Sequence, residues 1–328
     1  MRKLQMSLLM GYLSLFAVAT SFAQSQKTTL SAEIYGYQRD MVYFDCVQSP
    51  LVRAEFHTNP GEEHLYSFQT DQLVALIVNG RTTLLLNPGD SLHVTIHYEG
   101  KNVENIEFGG TQRAVEQNQL YQEITEMKRD MRYKSQLLAC VVVDVKPAQR
   151  LADSRTLLSQ TKELVAQEGD KVSAEAASYI LAEQEGLAYN SLVEYPTMYE
   201  ETRHQPIAEQ GIGDYWSLMD GVTLRSDAAS LSCPEYCAFL MQYFVYQKSK
   251  EAHAKGETYV RPEKFEDVYK ELATFFDGPQ RDAVLYTVIC NYLRGGKEIE
   301  RIDPILKDYR ENYNVNKKYV EILDTLLQ

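Results

Sequence analysis

Cys233 and Cys237 are the residues whose spacing comes nearest to that of a reactive site. They lie in the segment Cys-Pro-Glu-Tyr-Cys, where Pro234 marks the start of a predicted helix. The dipole at a helix N-terminus lowers the pKa of a thiol and makes it more nucleophilic. Three residues separate the two cysteines, whereas the thioredoxin motif has two. A redox role, a structural disulfide and inert packing stay open, and packing is favoured because Cys237 shares a helical stripe with Leu240 and Phe244.

His93 and His97 are candidate metal ligands, because they are four positions apart. On a helix that spacing puts two imidazoles on one face. Here the flanking residues 91–98 alternate between polar and apolar, which predicts a strand, and four residues of strand span about 13 Å. One metal ion cannot take both side chains as ligands unless the strand bends. We therefore expect exposed strand histidines, with no bound metal and no other cofactor.

Catalytic motifs that are recognisable from spacing are missing from the sequence. It contains no Gly-x-Ser-x-Gly, no phosphate loop, no dinucleotide fingerprint and no calcium loop. We predict no catalytic residues and a protein that is not an enzyme. One enzyme class stays open, a hydrolase whose carboxylates meet only in the fold, because carboxylate catalysis depends on geometry and not on spacing.

The balance of charge excludes some partners. The 328 residues include 33 Lys and Arg against 46 Asp and Glu, a formal net charge of −13, and the acidic residues are spread along the chain. Nucleic acids and anionic membrane surfaces require a concentrated basic face. We therefore predict that neither is a partner, and that the chain binds an exported protein or a small ligand.

The first 23 residues have the composition of a secretory signal peptide. Arg2 and Lys3 precede an apolar run from Leu8 to Val18, and Ser21-Phe22-Ala23 is a small-x-small cleavage pattern. Residues 1–23 are predicted to be removed, leaving a periplasmic or secreted protein with no membrane span. Five cysteines in such a chain would ordinarily indicate disulfides, but the number is odd, and Cys46, Cys140 and Cys290 lie in apolar runs typical of a core.

Residues 24–110 have the pattern of a β-domain. About eight segments alternate with a period of two and are separated by turn residues, which predicts an antiparallel β-sandwich with residues 73–98 as a meander in one wall. Asn79-Gly80 predicts a type I′ hairpin, and Asn87-Pro88-Gly89-Asp90 a type II turn.

Residues 111–328 have the pattern of an α-helical domain, so the predicted fold class is α+β. Thr111 is expected to cap a helix that runs to about Leu138, and Pro147 to separate it from the next helix. Ser232 and Glu235 match a capping box. Two Pro and two Gly in 189–214 predict a long loop, and a pocket is expected at the junction of the two parts, near 109–118 and 189–214.

The order of these parts resembles a known architecture. A signal peptide precedes a small β-domain with Ile34-Tyr35-Gly36, the Asn-Pro-Gly-Asp-Ser turn and Ile106-Glu107-Phe108-Gly109-Gly110, and helices follow. This resembles the N-terminal region of exported TlpA/ResA-like thiol-disulfide oxidoreductases, in which a DUF4369-like β-domain and a helical segment precede a thioredoxin domain. The resemblance covers roughly residues 28–118, and no residue matches the catalytic Cys-x-x-Cys. It therefore implies a fold and a compartment, with a binding or scaffolding role; the alternative is a redox accessory protein that uses Cys233 and Cys237.

Overall fold

The computed structural model of the chain describes residues 25–39, 41–47, 53–57, 62–296 and 301–327, and the predicted signal peptide lies outside these ranges. Strands come first along the described chain and helices follow, which confirms the α+β class. The strands are β1 (Gln26–Tyr37), β2 (Met41–Cys46), β3 (Arg53–His57), β4 (His64–Thr70), β5 (Val74–Val78), β6 (Thr82–Leu86), β7 (Ser91–Gly100) and β8 (Asn102–Gly110).

The helices follow without an intervening strand in the described ranges. None of the described helices is both long and apolar enough to span a membrane. Their bounds are α1 (Gln112–Asp130), α2 (Leu137–Val142), α3 (Pro147–Glu168), α4 (Ala174–Val193), α5 (Tyr195–Arg203), α6 (Ala228–Leu231), α7 (Pro234–Ala254), α8 (Phe265–Phe275), α9 (Gly278–Gly295), α10 (Asp303–Asp308) and α11 (Lys317–Leu326).

The strands form two four-stranded sheets, with the orders β4-β1-β7-β8 and β3-β2-β5-β6. The prediction of a wholly antiparallel arrangement is wrong for one pair, because β1 and β7 run parallel, with Ser31 opposite His93. The predicted 73–98 meander is also wrong, because β7 lies in the other sheet from β5 and β6. An alternating pattern fixes which face of a strand is buried, but it carries no information about the neighbour or its direction.

The turn at Asn87-Pro88-Gly89-Asp90 transfers the chain from one sheet to the other. Gly89 has a φ of 80°, and the Asp90 N–H donates to the Asn87 carbonyl at 3.1 Å, as a type II turn requires. The Gly89 N–H donates to Thr28 Oγ1 at 3.1 Å, and the Thr29 N–H donates to the Asp90 carbonyl at 2.9 Å. These bonds bind the turn to β1, which places β7 beside β1.

The sheet that contains β5 and β6 is covered on both faces. Leu76 and Leu84 belong to the buried cluster shared with the other sheet, while Ala75 and Leu85 belong to the cluster built by the helices. The Leu85 N–H donates to Asn118 Oδ1 at 2.8 Å, and Asn118 Nδ2 donates to the Leu85 carbonyl at 2.8 Å. The Asn118 side chain on α1 therefore satisfies the free edge of β6 as a further strand would.

Three predictions about the helices are wrong in their details. The helix predicted to run to about Leu138 ends at Asp130, and Pro147 is the first residue of α3 rather than part of the interval before it, because its missing N–H costs nothing in a first turn. The segment 189–214 is helical as far as Arg203, and Pro196 lies at the start of α5 for the same reason. The Ser232–Glu235 capping box is absent: the N-cap of α7 is Cys233, and the Ser232 hydroxyl donates to the Ala229 carbonyl at 2.7 Å.

Candidate functional site

Three adjoining cavities lie where the strands meet the helices, around the turn formed by Asp71 and Gln72 between β4 and β5. Their volumes are about 220, 410 and 430 Å³, and Gln72 lines all three. Arg113 lines the second cavity, so the predicted junction pocket involves residues 109–118. Residues 189–214, the other predicted wall, line none of these three cavities.

The first cavity, which we call the interhelix pocket, is enclosed by α7, α9 and α11, with Val47 and Gln72 contributed by the strand region. Its apolar wall includes Ala238 and the rings of Tyr286 and Tyr319. These two rings are stacked, with centroids 4.1 Å apart and planes 8° apart. A pocket with mostly apolar walls and a few converging polar groups is the usual form of a small-molecule site.

The polar groups of the interhelix pocket include two cations. Arg294 lies in the last turn of α9 and Lys318 in the first turn of α11, and no Asp or Glu is found among the described residues that line the pocket. Lys318 forms an ion pair with Asp71, which lines the two neighbouring cavities. That ion pair joins the strand region to the last helix. Among the described ion pairs, none involves Arg294.

A buried carboxylate holds the α11 wall of the interhelix pocket in place. Asp282 is 1% exposed and accepts hydrogen bonds from the Val315 N–H at 2.8 Å and from the Asn316 N–H at 2.6 Å. The Tyr309 hydroxyl also donates to it, at 2.5 Å. Carboxylates that accept several N–H and O–H bonds form strong, geometrically specific anchors. Asp282 therefore fixes the segment from which Lys318 and Tyr319 project.

Two thiols line the interhelix pocket, and neither is activated. Cys237 donates to the Leu231 carbonyl at 3.2 Å, and burial raises the pKa of Cys237 to about 12. Burial likewise raises the pKa of Cys290, against the opposing effects of Tyr286 and Arg294. Thiolates are the reactive form, so these groups act as apolar wall rather than as nucleophiles.

The redox candidates Cys233 and Cys237 both lie at the start of α7, as the sequence indicates. All five cysteines are free thiols and buried. Burial raises the pKa of Cys233 well above its ordinary value, and the nearby Glu235 carboxylate, 3.4 Å from its sulfur, raises it further. Desolvation and a neighbouring negative charge therefore oppose the effect of the helix dipole at this site.

His93 and His97 lie on the same face of β7 and have different partners. His97 stacks on Tyr35, with ring centroids 5.0 Å apart, and His93 Nδ1 lies 2.6 Å from the Ser31 hydroxyl. Groups of three or more His, Cys, Asp or Glu that could hold a metal are absent from the described part of the chain.

Ser31, His93 and Glu63 have the residue types of a hydrolase triad, which the sequence does not reveal because 62 positions separate Ser31 from His93. The Ser31 hydroxyl donates to Glu63 Oε1 at 2.5 Å and contacts His93 Nδ1 as well. A working triad needs the acid on the far side of the imidazole and free N–H donors for an oxyanion. Here the acid and the imidazole share the hydroxyl, and β1 pairs with a strand on each side. This arrangement therefore holds neighbouring strands together.

A second buried acid lies within the helices. Glu183 on α4 is 7% exposed and accepts hydrogen bonds from the Tyr121 hydroxyl at 2.6 Å and from Gln184 Nε2 at 2.5 Å. Burial raises its pKa. Glu183 lines none of the three junction cavities. Its environment is that of a structural carboxylate, since both of its oxygens accept hydrogen bonds from neighbouring side chains.

Comparison of the chain with protein-family models, with curated proteins and with solved structures gave no match. The chain's own residues, above all those that line the interhelix pocket, are therefore the basis on which a function is proposed.

Proposed function

We propose that this chain is a non-catalytic binding protein of the periplasm or the secreted fraction, and that it binds a small ligand in the interhelix pocket. The observation that carries the proposal is the construction of the pocket. The strand region and three separate helices converge on a cavity of about 220 Å³ with apolar walls and cationic groups at its edge. Concave sites at such junctions are where ligands are usually bound.

The chemistry of the pocket supports binding over turnover. The pKa of each of its two thiols is raised by burial. Its described lining includes no His, Asp or Glu that would serve as a general base. The alternative role for Cys233 and Cys237, a redox accessory, would require reactive thiolates, and burial works against them.

We propose further that the two sheets constitute a β-sandwich of the DUF4369-like kind, with the strand and helix regions dividing near residue 110. Residues that alternate along β1 and β7, such as Leu30 and Val94, contribute to the same buried cluster as Phe44 and Leu76 of the other sheet, and this shared cluster supports the proposal. A second possibility within the same non-catalytic role is that the chain binds an exported protein, with its helices serving as the scaffold for that partner.

A panel of small acids, amides and amines screened by ligand-observed NMR tests the binding proposal. Ala238→Leu adds bulk inside the pocket, whereas Ala254→Leu makes the same change at the exposed end of α7. We expect binding by wild type and by Ala254→Leu, and loss of binding in Ala238→Leu. Binding that survives in Ala238→Leu, or no binding by any compound, would contradict the proposal.

A further inference from the structure

We infer that the interhelix pocket selects a small carboxylate with an apolar body of about one ring, and that Arg294 is the residue that recognises the anionic group. This inference rests on the proposed binding function and adds the chemical class of the ligand. It follows from three properties of the pocket, namely its size, the character of its wall and the sign of its charge.

The size of the pocket limits the ligand. An apolar protein cavity of about 150 Å³ is large enough to bind benzene. The interhelix pocket has a volume of about 220 Å³, which leaves room for one ring and a short polar substituent. The stacked rings of Tyr286 and Tyr319 and the methyl group of Ala238 present the apolar surface that such a body would cover.

The charge of the pocket determines which polar substituent fits. The chain as a whole carries a formal charge of −13, yet the described residues that line this pocket include Arg294 and Lys318 and no acid. Lys318 is already paired with Asp71. Arg294 has no ion-pair partner among the described residues, and a guanidinium is the side-chain group best suited to hold a carboxylate in a bidentate pair.

The position of Arg294 puts that cation beside the apolar wall. Arg294 lies four residues, one helical turn, beyond Cys290, and Cys290 lies four beyond Tyr286, so all three follow one face of α9. The electrostatic influence of Arg294 reaches both side chains: burial raises the pKa of each, and the guanidinium opposes this rise. A ligand amine in the same place would face a cation, with no carboxylate among the described lining residues to balance it, and would be rejected.

Isothermal titration calorimetry with three probes of similar shape tests the inference. Phenylacetate is anionic, 2-phenylacetamide is neutral, and phenethylamine is cationic at pH 7. Wild type is expected to bind phenylacetate about tenfold more tightly than the amide, a difference of about 1.4 kcal/mol, because only the acid can form a charge-assisted pair with Arg294. Phenethylamine is expected to bind more weakly than either.

Arg294→Gln removes the pocket cation that has no ion-pair partner among the described residues, whereas Lys317→Gln removes a charge from an exposed position next to Lys318 that does not line the pocket. Arg294→Gln should reduce phenylacetate affinity by about tenfold and leave the affinity for 2-phenylacetamide unchanged, while Lys317→Gln should change neither. Circular dichroism melts establish that both variants are folded.

Three results would overturn the inference, and they differ in what they say about the proposed function. If the amide binds as tightly as the acid, or if Arg294→Gln binds phenylacetate as wild type does, the anion selectivity is wrong while ligand binding in the pocket stands. If none of the three probes binds wild type, the ligand class is wrong, and the wider panel with Ala238→Leu then decides whether the pocket binds small molecules at all.

Discussion

Replacing Glu183 with Gln gives a direct test of the electrostatics inside the helical part. The Glu183 carboxylate is buried and accepts hydrogen bonds from the Tyr121 hydroxyl at 2.6 Å and from Gln184 Nε2 at 2.5 Å. Burial is the main cause that raises its pKa, and the negative charge of Glu235 adds to the rise. Lys128 and the two hydrogen bonds oppose it without reversing it.

The raised pKa of Glu183 makes the stability of the fold depend on pH in a definite direction. The folded state holds the carboxyl proton more tightly than the unfolded state, so this contribution to stability is fully present below the ordinary carboxyl pKa. It is lost as the pH rises through the raised pKa, because the folded protein must then hold a buried charge. Each unit of elevation corresponds to about 1.4 kcal/mol of unfolding free energy.

The glutamine variant removes this titration and keeps the size of the side chain. Its amide oxygen can still accept from Tyr121, but its NH₂ group would face the NH₂ group of Gln184. Gln184 can relieve that conflict by rotating its amide, since its own Oε1 is buried without a hydrogen-bond partner in the described structure. We therefore expect the stability of Glu183→Gln relative to wild type to increase between pH 4 and pH 8, by about 1.4 kcal/mol for each unit by which folding raises the pKa of Glu183.

Urea unfolding followed by far-ultraviolet circular dichroism, repeated across pH 4 to 8, measures the effect. Glu123→Gln, on an exposed position of α1, is the matched control and should follow the wild-type pH profile. If Glu183→Gln also follows the wild-type profile, the pKa of Glu183 is not raised in the folded state and the reasoning from burial is refuted.

Three further predictions concern single contacts. Asp282→Asn removes the charge and, with its amide oxygen kept on the Val315 and Asn316 N–H groups, turns an NH₂ donor toward the donors Tyr309 Oη and Asn314 Nδ2. It should lower the urea-derived unfolding free energy by about 2 to 3 kcal/mol; an unchanged value would contradict the anchoring role of Asp282. Gly186→Ala should lower it by about 1 to 3 kcal/mol despite the better helix propensity of Ala, because the new Cβ would lie 2.5 Å from the Glu235 carbonyl; a more stable variant would refute this. The pKa of Cys237, about 12, should make its alkylation at pH 8, followed by peptide mass spectrometry, about a thousandfold slower in native than in unfolded protein; equal rates would mean that the thiol is accessible.

The strand region is the part of the fold that local pattern predicts best. Each predicted strand overlaps an observed one, and the positive φ angles of Asn79 and Gly89 match the two predicted turns. These features depend on residues that are neighbours in sequence. The pairing of β7 with β1 does not, because it requires hydrogen bonds from the 87–90 turn to Thr28 and Thr29, some 60 positions away.

The errors in the helical region have a common physical cause. In the sequence alone, Pro147 and Pro196 favour interruptions between helices, but proline fits the first turn of a helix as well as it fits a loop. The Ser232–Glu235 spacing is that of a capping box, yet the short helix α6 ends at Leu231 and takes Ser232 as its own C-cap. In each case one local signal has two structural outcomes, and the packing of neighbouring helices decides between them.

One part of the candidate site, the row of side chains along α9, can be recognised from residue spacing in the sequence. Asp282, Tyr286, Cys290 and Arg294 follow one another at intervals of four, which is a row along one face of a helix. A row that begins with a buried acid and ends with a cation is unusual for a simple core stripe. The four residues have different roles. Asp282 holds the segment that leads into α11, and Tyr286 stacks on Tyr319. Cys290 lines the interhelix pocket, and Arg294 contributes a positive charge to it.

The same row ties the binding proposal to the stability of the fold. Asp282 holds residues 315 and 316, and that segment leads into Lys318 and Tyr319, which close the interhelix pocket. A substitution at Asp282 therefore loosens the pocket without touching a ligand within it. A ligand that spans Arg294 and Tyr319 would in turn stabilise the contact between α9 and α11, since binding to the folded state alone raises the free energy of unfolding.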